Sequence, residues 1–315
     1  MCEREEATCA FPEYVCPYAK RLAEKSRRFA LQCYDPVPRT PYQTPSTKHQ
    51  APSTKYQALS SPYSPDPFGE LTHAAKCYGL KQRFPDRVLI MTSDRCFMTC
   101  RHCTRQGLFD KAQVVRSVQD LRRCVRYVKD HPKVRDVLLS GGDVLTLSDA
   151  KVMEFVDAFA ALPQVELVRV CTRALAANPA RITAKLASAL AKSKKVWVNT
   201  QFNCADEVTD EARSAAAKLV DRGIPVSCQT VLLRGVNDSG PEMLKLLKAL
   251  SAARIRPYYV FQCDPIAGID RFRVPLEQAR KIELYCAERI GGLALPRFVA
   301  DLPGAKRKTP IVELL

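Results

Sequence analysis

From Arg87 onward the chain alternates short β-branched runs with longer helical patterns, and this alternation leaves few folds open to it. The runs are RVLIMT (87–92), VRDVLLS (134–140), ELVRVCT (166–172), VWVNTQF (196–202), PVSCQTVLL (225–233) and PYYVFQC (257–263). Helical periodicity follows them near 117–130, 149–162, 180–193, 209–222, 241–254 and 275–289. Ser117 and Asp120, in SVQD, give the first helix a capping-box start. Strands this apolar suit a parallel sheet covered by helices. Right-handed crossovers with no obvious reversal of order favour a barrel, or most of one, over an open sheet. The expected fold is therefore α/β, a partial TIM-type barrel of about six parallel β/α units.

The chain ahead of that rhythm is different. Residues 13–33 read as one amphipathic helix with Leu22, Phe29 and Leu31 among its apolar positions. Residues 35–67 hold eight prolines and the near-repeat TPSTKHQ, APSTKYQ, which reads as a linker or surface wrap. The expected division is a helical segment over 1–34, a proline-rich linker over 35–67 and a barrel domain over 68–315. At 46% apolar and 26% charged, the 315 residues are globular in composition. No apolar run reaches membrane-spanning length, and MCEREEATCAF lacks a signal-peptide layout, so a cytoplasmic protein is expected, with no membrane partner. The net charge of +16 invites a polyanion, but the basic residues form no block or aromatic-interleaved stripe, so nucleic acid is not expected.

In a parallel barrel, chemistry gathers where strands end. Here DRCFMTCRHCTR follows the first strand, SGGD the second, TR the third, FNC the fourth, RGVND the fifth and CD the sixth. Fourteen cysteines in a reducing compartment are mostly thiols, a few of them ligands. Cys96, Cys100 and Cys103 form a C-x3-C-x2-C array among Arg95, Arg101, His102 and Arg105, cations that favour thiolates. Three thiolates on a four-iron cluster leave one iron open; a zinc site with a remote fourth ligand is the other reading. Taken alone, SGGD is a strand-end turn and Lys306, Arg307 and Lys308 are a solvated basic run. Arg83 and Arg87 are then surface arginines, and Asp264 and Asp301 loop caps.

C-x3-C-x2-C after the first strand of a partial barrel resembles the radical S-adenosylmethionine superfamily. CRHCTR resembles its lysine 2,3-aminomutase branch more closely, over about residues 68–312. The resemblance implies a [4Fe–4S] cluster on Cys96, Cys100 and Cys103, whose fourth iron is chelated by S-adenosylmethionine. It implies that Gly141, Gly142 and Asp143 carry the amino group of that cofactor, with Gln229 lining it. The tail ADLPGAKRKTP matches a family pattern in which Lys308 joins pyridoxal 5′-phosphate, with Arg83 and Arg87 facing that cofactor. Arg105 then holds the substrate carboxylate, and Asp264 and Asp301 grip a distal ammonium, implying L-lysine to β-lysine isomerisation. An electron donor such as flavodoxin or ferredoxin is implied as a partner. Alternatives are the same chemistry on another amino acid or in elongation factor P lysylation, or a non-catalytic iron–sulfur or zinc-binding protein.

The chain also departs from the family pattern. TQFNC puts Gln201 and Cys204 where the family has histidines, and the spacer before Lys308 is AKR rather than glycines. RGVND is followed by Ser239 rather than a cysteine, so no zinc is expected, and the oligomeric state stays open. Cys124, Cys171, Cys228 and Cys286 are expected in the core, and the evenly spaced Cys2, Cys9 and Cys16 are not expected to form a site.

Overall fold

Strand order in space follows strand order in the chain. The computed structural model describes residues 16–33, 79–105, 115–266 and 269–315. The 35–67 run and residues 13–15 of the expected first helix lie outside these described residues. Among them, nine strands form one sheet in the order β1 to β9. These are β1 (Leu80–Phe84), β2 (Arg87–Ser93), β3 (Asp136–Gly141), β4 (Leu167–Cys171), β5 (Val196–Gln201), β6 (Val226–Leu232), β7 (Arg256–Gln262), β8 (Arg297–Ala300) and β9 (Thr309–Pro310). Pairing is parallel from β2 through β8, and antiparallel only where β1 joins β2 and β9 joins β8. The six expected β/α units are present, with a seventh parallel strand and an antiparallel strand at each edge. The added strands carry weak signals. β1 is LKQRF, largely polar, and β8 and β9 are too short to show a period.

The expected helix at 13–33 is two helices, α1 (Pro17–Lys25) and α2 (Arg27–Cys33). Ser26 breaks it: its backbone is extended, its hydroxyl donates to Asp206 Oδ2 at 2.7 Å and accepts from Phe29 N at 3.2 Å. The crossovers carry α3 (Val118–Lys129), α4 (Asp149–Ala160), α5 (Ala174–Ala177), α6 (Ala184–Ala191), α7 (Asp210–Val220), α8 (Gly240–Ala252) and α9 (Leu276–Ala287). Ser117 and Asp120 make the reciprocal capping box at α3. Single hydroxyls of Ser148, Thr183, Thr209 and Ser239 cap α4, α6, α7 and α8. The expected 180–193 helix is shorter because Pro179 opens a separate turn and Thr183 caps anew. No helix of the described residues is long and apolar enough to cross a membrane.

The core lies between sheet and helices. Val88, Ile90, Val137, Leu139, Val168 and Val170 point outward onto Leu121, Phe155, Phe159 and Leu186. The alternating inward positions Leu138, Ser140, Arg169, Cys171 and Gln229 are only half-buried, so the barrel interior is not filled like a core. Cys171 is therefore a lining residue, correcting its expected core position, whereas Cys124, Cys228 and Cys286 are buried. A second apolar cluster joins Cys16, Leu22, Phe29 and Cys33 of the α1–α2 region to Met98, Ala177, Leu233 and Phe272 at the strand ends.

Two glycines allow the closest backbone approach near the cysteine loop. Gly142 N donates to Ser93 O at 2.6 Å and Asp143 N to Arg95 O at 2.7 Å. A Cβ on Gly142 would lie 2.2 Å from Arg95 O, and one on Gly141, at φ +105°, would lie 2.6 Å from Ser93 O. Gly142→Ala should therefore destabilise the fold by at least about 2 kcal/mol. Gly291→Ala, with nothing within 4 Å of its added Cβ, should stay within about 0.5 kcal/mol. Chemical denaturation of the two variants checks this.

Candidate active site

Because the strands run parallel in chain order, every strand-end loop reaches one rim. The cysteine loop leaves β2, and its Cys96, Cys100 and Cys103 are half-buried, unlike the fully buried Cys33, Cys124 and Cys204. Burial, then the proximity of Cys103, Asp143 and Cys100, pushes the Cys96 thiol well above its ordinary range. Thiols that disfavour one another's ionisation suit a metal centre, whose positive charge would reverse that preference. Among the described residues no three such donors are gathered tightly enough for one ion. Thiolates that each take a different iron need no such convergence.

The expected cationic field is revised. His102 is 5% exposed, and burial followed by the charge of Arg173 holds its imidazole well below the usual range, hence neutral. Arg95 is exposed. Arg173, at the end of β4, adds a cation that the loop's own sequence does not supply, and its Nη1 donates to Cys100 Sγ at 2.9 Å. Its Nη2 donates to Gln32 Oε1 at 2.6 Å and to Glu207 Oε2 at 3.0 Å. Burial works against the Arg173 charge, but Cys100 and Glu207 outweigh it and hold the guanidinium charged.

Glu207 is fully buried, and its Oε1 accepts from Gln32 Nε2 at 2.9 Å, Asn203 N at 2.9 Å and Cys204 N at 3.0 Å. Asn203 Nδ2 donates to Gln32 Oε1 at 2.8 Å. Gln201 keeps a link to the cysteine loop, its Nε2 3.0 Å from His102 Nε2. Cys204 faces away, buried against Glu207 at 3.4 Å and Gln32 at 3.7 Å. Among the described residues, the buried His102 Nδ1 and Arg173 Nε have no hydrogen-bond partner. Sequence reading noted Arg173 only as a rim residue and did not single out Gln32 or Glu207. Glu207 accepts the Cys204 backbone N–H three residues earlier, a helix-start contact that a cysteine in the place of serine or threonine does not announce in sequence.

Gly141 and Gly142 serve the backbone approach described above. Asp143, 6% exposed, is bound into the scaffold. Its Oδ1 accepts from Leu145 N at 3.0 Å and Thr172 Oγ1 at 2.7 Å, and its Oδ2 from Arg173 N at 2.6 Å. Gln229 is half-buried and accepts from Tyr258 Oη at 3.1 Å, which in turn accepts from Asn199 Nδ2 at 2.9 Å. Burial pushes the Cys171 thiol up to about 11, with Arg169 and Arg105 opposing, which sets half-buried Arg105 near the end of β4.

A second group of side chains spans the open side of the barrel. Lys308 Nζ pairs with Asp301 Oδ2, while Arg83 of β1 donates from Nη1 to Asp301 Oδ1 at 2.7 Å and from Nη2 to Leu302 O. Lys308 Nζ lies 5.5 Å from both the Phe84 and Phe261 ring centroids. The Arg83 and Arg87 guanidiniums stand 5.2 and 4.0 Å from the Phe84 ring, and Arg87 also meets Asp86 at 3.1 Å. Burial, then the charge of Asp301, pushes the Asp264 carboxyl up to about 8. Burial lowers the Lys308 amine, with Asp301 opposing. Arg83, Asp301, Lys308 and Asp264 are thus together, with Arg87 at the outer end of the group.

The sequence model of the Radical SAM superfamily matches residues 90–247. An L-lysine 2,3-aminomutase of Fusobacterium nucleatum is 42% identical over 234 residues, which are 74% of this chain and 55% of that protein. The chain thus spans about half the length of the curated relatives it matches. A provisionally named L-lysine 2,3-aminomutase of Treponema pallidum is 35% identical over 79% of this chain and 70% of that protein. A glutamate 2,3-aminomutase of Clostridioides difficile is 34% identical over 78% of this chain and 58% of its own length. In fold, the crystal structure of Streptococcus suis SuiB bound to S-adenosylmethionine is similar at a TM-score of 0.54 and 18% identity, over 69% of this chain and 51% of that one. With its three-cysteine loop at the head of a chain-ordered parallel barrel, the chain belongs to the radical SAM superfamily and, within it, to the lysine 2,3-aminomutase family.

Proposed function

We propose that the chain moves the amino group of a cationic amino acid from the α to the β carbon, L-lysine to β-lysine first. The observation that carries this reading is the cluster spanning the barrel's open side, where Asp301 and Asp264 stand beside the Lys308 amine. Two carboxylates at one point suit a buried ammonium. They oppose a distal carboxylate, which favours lysine over glutamate as substrate.

The residues fit the three groups that the family implies. The mutually opposed thiols of Cys96, Cys100 and Cys103 suit a [4Fe–4S] cluster, which when bound supplies an electron and an open iron for S-adenosylmethionine. The unpartnered His102 Nδ1 is an acceptor or donor that a bound molecule at this loop would satisfy. Arg83, Arg87 and Lys308 around Phe84 suit an anionic aromatic cofactor, and pyridoxal phosphate would supply an electron sink at the substrate amine.

This chain's own side chains then do the positioning. Lys308, with its amine lowered by burial, is the group to join that cofactor. Arg83 and Arg87 hold its phosphate, Arg105 clamps the substrate carboxylate, and Asp264 with Asp301 fixes the far ammonium. Gly141, Gly142 and Asp143 carry the amino group of S-adenosylmethionine and also set the cysteine loop and Arg173. Gln229 presents a side-chain amide to the barrel interior, where the adenosyl group would lie. A one-electron donor such as flavodoxin or ferredoxin serves as partner.

Above about pH 8, where the parent carboxyl is ionised, Asp264→Asn should lower kcat/KM for L-lysine by about 30-fold or more, as expected when one charge of a buried pair is removed. Anaerobic assay of β-lysine with iron, sulfide, S-adenosylmethionine and pyridoxal phosphate measures it. Lys308→Ala should abolish β-amino acid formation yet leave the iron–sulfur absorbance in place.

The pH dependence has a definite sign. Folded Asp264 titrates at about 8, above its unfolded value of about 3.9. Its contribution to stability is full below the unfolded value and is lost as pH rises through about 8. Asp264→Asn should therefore flatten the fall in melting temperature between about pH 5 and about pH 9. Lysine binding by the parent protein should tighten over the same rise, as that carboxyl ionises.

A further inference from the structure

A buried ion pair is tolerated when every polar atom around it is matched. Arg173 and Glu207 form such a pair, with side chains 9% and 0% exposed. The residue that matches both partners is Gln32, fully buried at the end of α2. Its Oε1 accepts from Arg173 Nη2 at 2.6 Å and its Nε2 donates to Glu207 Oε1 at 2.9 Å. The same Arg173 delivers its other terminal nitrogen to Cys100 Sγ at 2.9 Å. The α2 backbone grips the loop as well: Arg101 N donates to Gln32 O at 2.8 Å and Arg101 Nη1 to Leu31 O at 3.1 Å. Arg101 thereby satisfies carbonyls left open at the helix C-terminus.

We infer that Gln32 is a positioning residue that sets the reduction potential of the centre held by the cysteine loop, acting through the Arg173 hydrogen bond to Cys100. This rests on the proposed [4Fe–4S] cluster. Hydrogen bonds to cluster sulfurs are one of the levers on its potential. A charged donor on a thiolate favours the reduced, more negative cluster and so raises the potential. Without the Gln32 carbonyl, Nη2 of Arg173 keeps only Glu207, which draws the guanidinium from the sulfur. Gln32→Met keeps the length of the side chain and removes its hydrogen bonds to Arg173 and Glu207, together with that from Asn203.

The test is a spectroelectrochemical titration of the reconstituted full chain, followed by the electron paramagnetic resonance of the reduced cluster. Gln32→Met should move the potential to more negative values by about 59 mV or more, tenfold in a one-electron equilibrium. In an Arg173→Gln background the same substitution should add nothing, a coupling that general loosening of the helix would not produce. Arg28→Ala removes an exposed contact with Glu242 at 3.0 Å on the same helix and should leave the potential unchanged. If Gln32→Met does not load iron, Gln32→Asn, which withdraws the amide by one methylene, should show a shift of the same sign. An unshifted potential in a loaded Gln32 variant, or an equal shift from Arg28→Ala, overturns the inference and leaves the cluster reading intact. Failure of the parent chain to assemble any [4Fe–4S] centre overturns both.

Discussion

A parallel sheet laid down in chain order delivers the carboxyl end of every strand to the same edge, and each element of the site follows from this. The cysteine loop, the glycine turn, Arg173, Asn203, Asp264 and Asp301 lie far apart in sequence and share a rim because β2 through β8 run one way. Strand alternation then divides the work. Outward valines and isoleucines bury the helices, and inward positions are left for Arg169, Cys171, Gln229 and Tyr258. The sheet ends at β1 and β9, so its two edges meet through side chains instead of a hydrogen-bond ladder. Arg83 reaching Asp301 and Leu302 makes that join.

The barrel was legible because periodicity reports which face of an element is buried. The edge strands were not, since Leu80–Phe84 holds its place by pairing with β2 rather than by burying alternate side chains. The cysteine spacing points to a metal centre, and Lys308 is singled out from Lys306 only by the family pattern counted from Asp301. What sequence could not show was that a cation from another strand end also meets the thiols. Arg95, Arg101 and His102 are neighbours in the chain, whereas Arg173, which donates to Cys100, stands 73 residues away. Gly141 and Gly142 illustrate a second limit. Their lack of side chains is required, but the backbone that demands it belongs to Ser93 and Arg95.

The α1–α2 pair belongs with the rim. Cys16 N donates to Phe97 O at 2.9 Å and Cys16 Sγ to Ala177 O at 2.8 Å, so the first described residue already touches the cysteine loop and the short helix α5 that follows β4. Gln201 and Cys204 gain a reading from the same packing. Gln201 preserves a hydrogen bond to the cysteine loop, whereas Cys204 lies against the Gln32–Glu207 side of the network.

The join between β1 and the tail has a consequence for folding order. Arg83 and Asp301 are 218 residues apart, so their contact closes nearly the longest loop the described chain offers. Neighbouring parallel strands close far shorter loops, and the entropy of closure rises with length. Closure entropy therefore favours the neighbouring pairs over the edge-to-edge join, which shares its long reach with the docking of α1–α2. Since the edges are joined by Arg83, Asp301 and Lys308, the contacts that close the sheet are the same ones that seat the tail lysine.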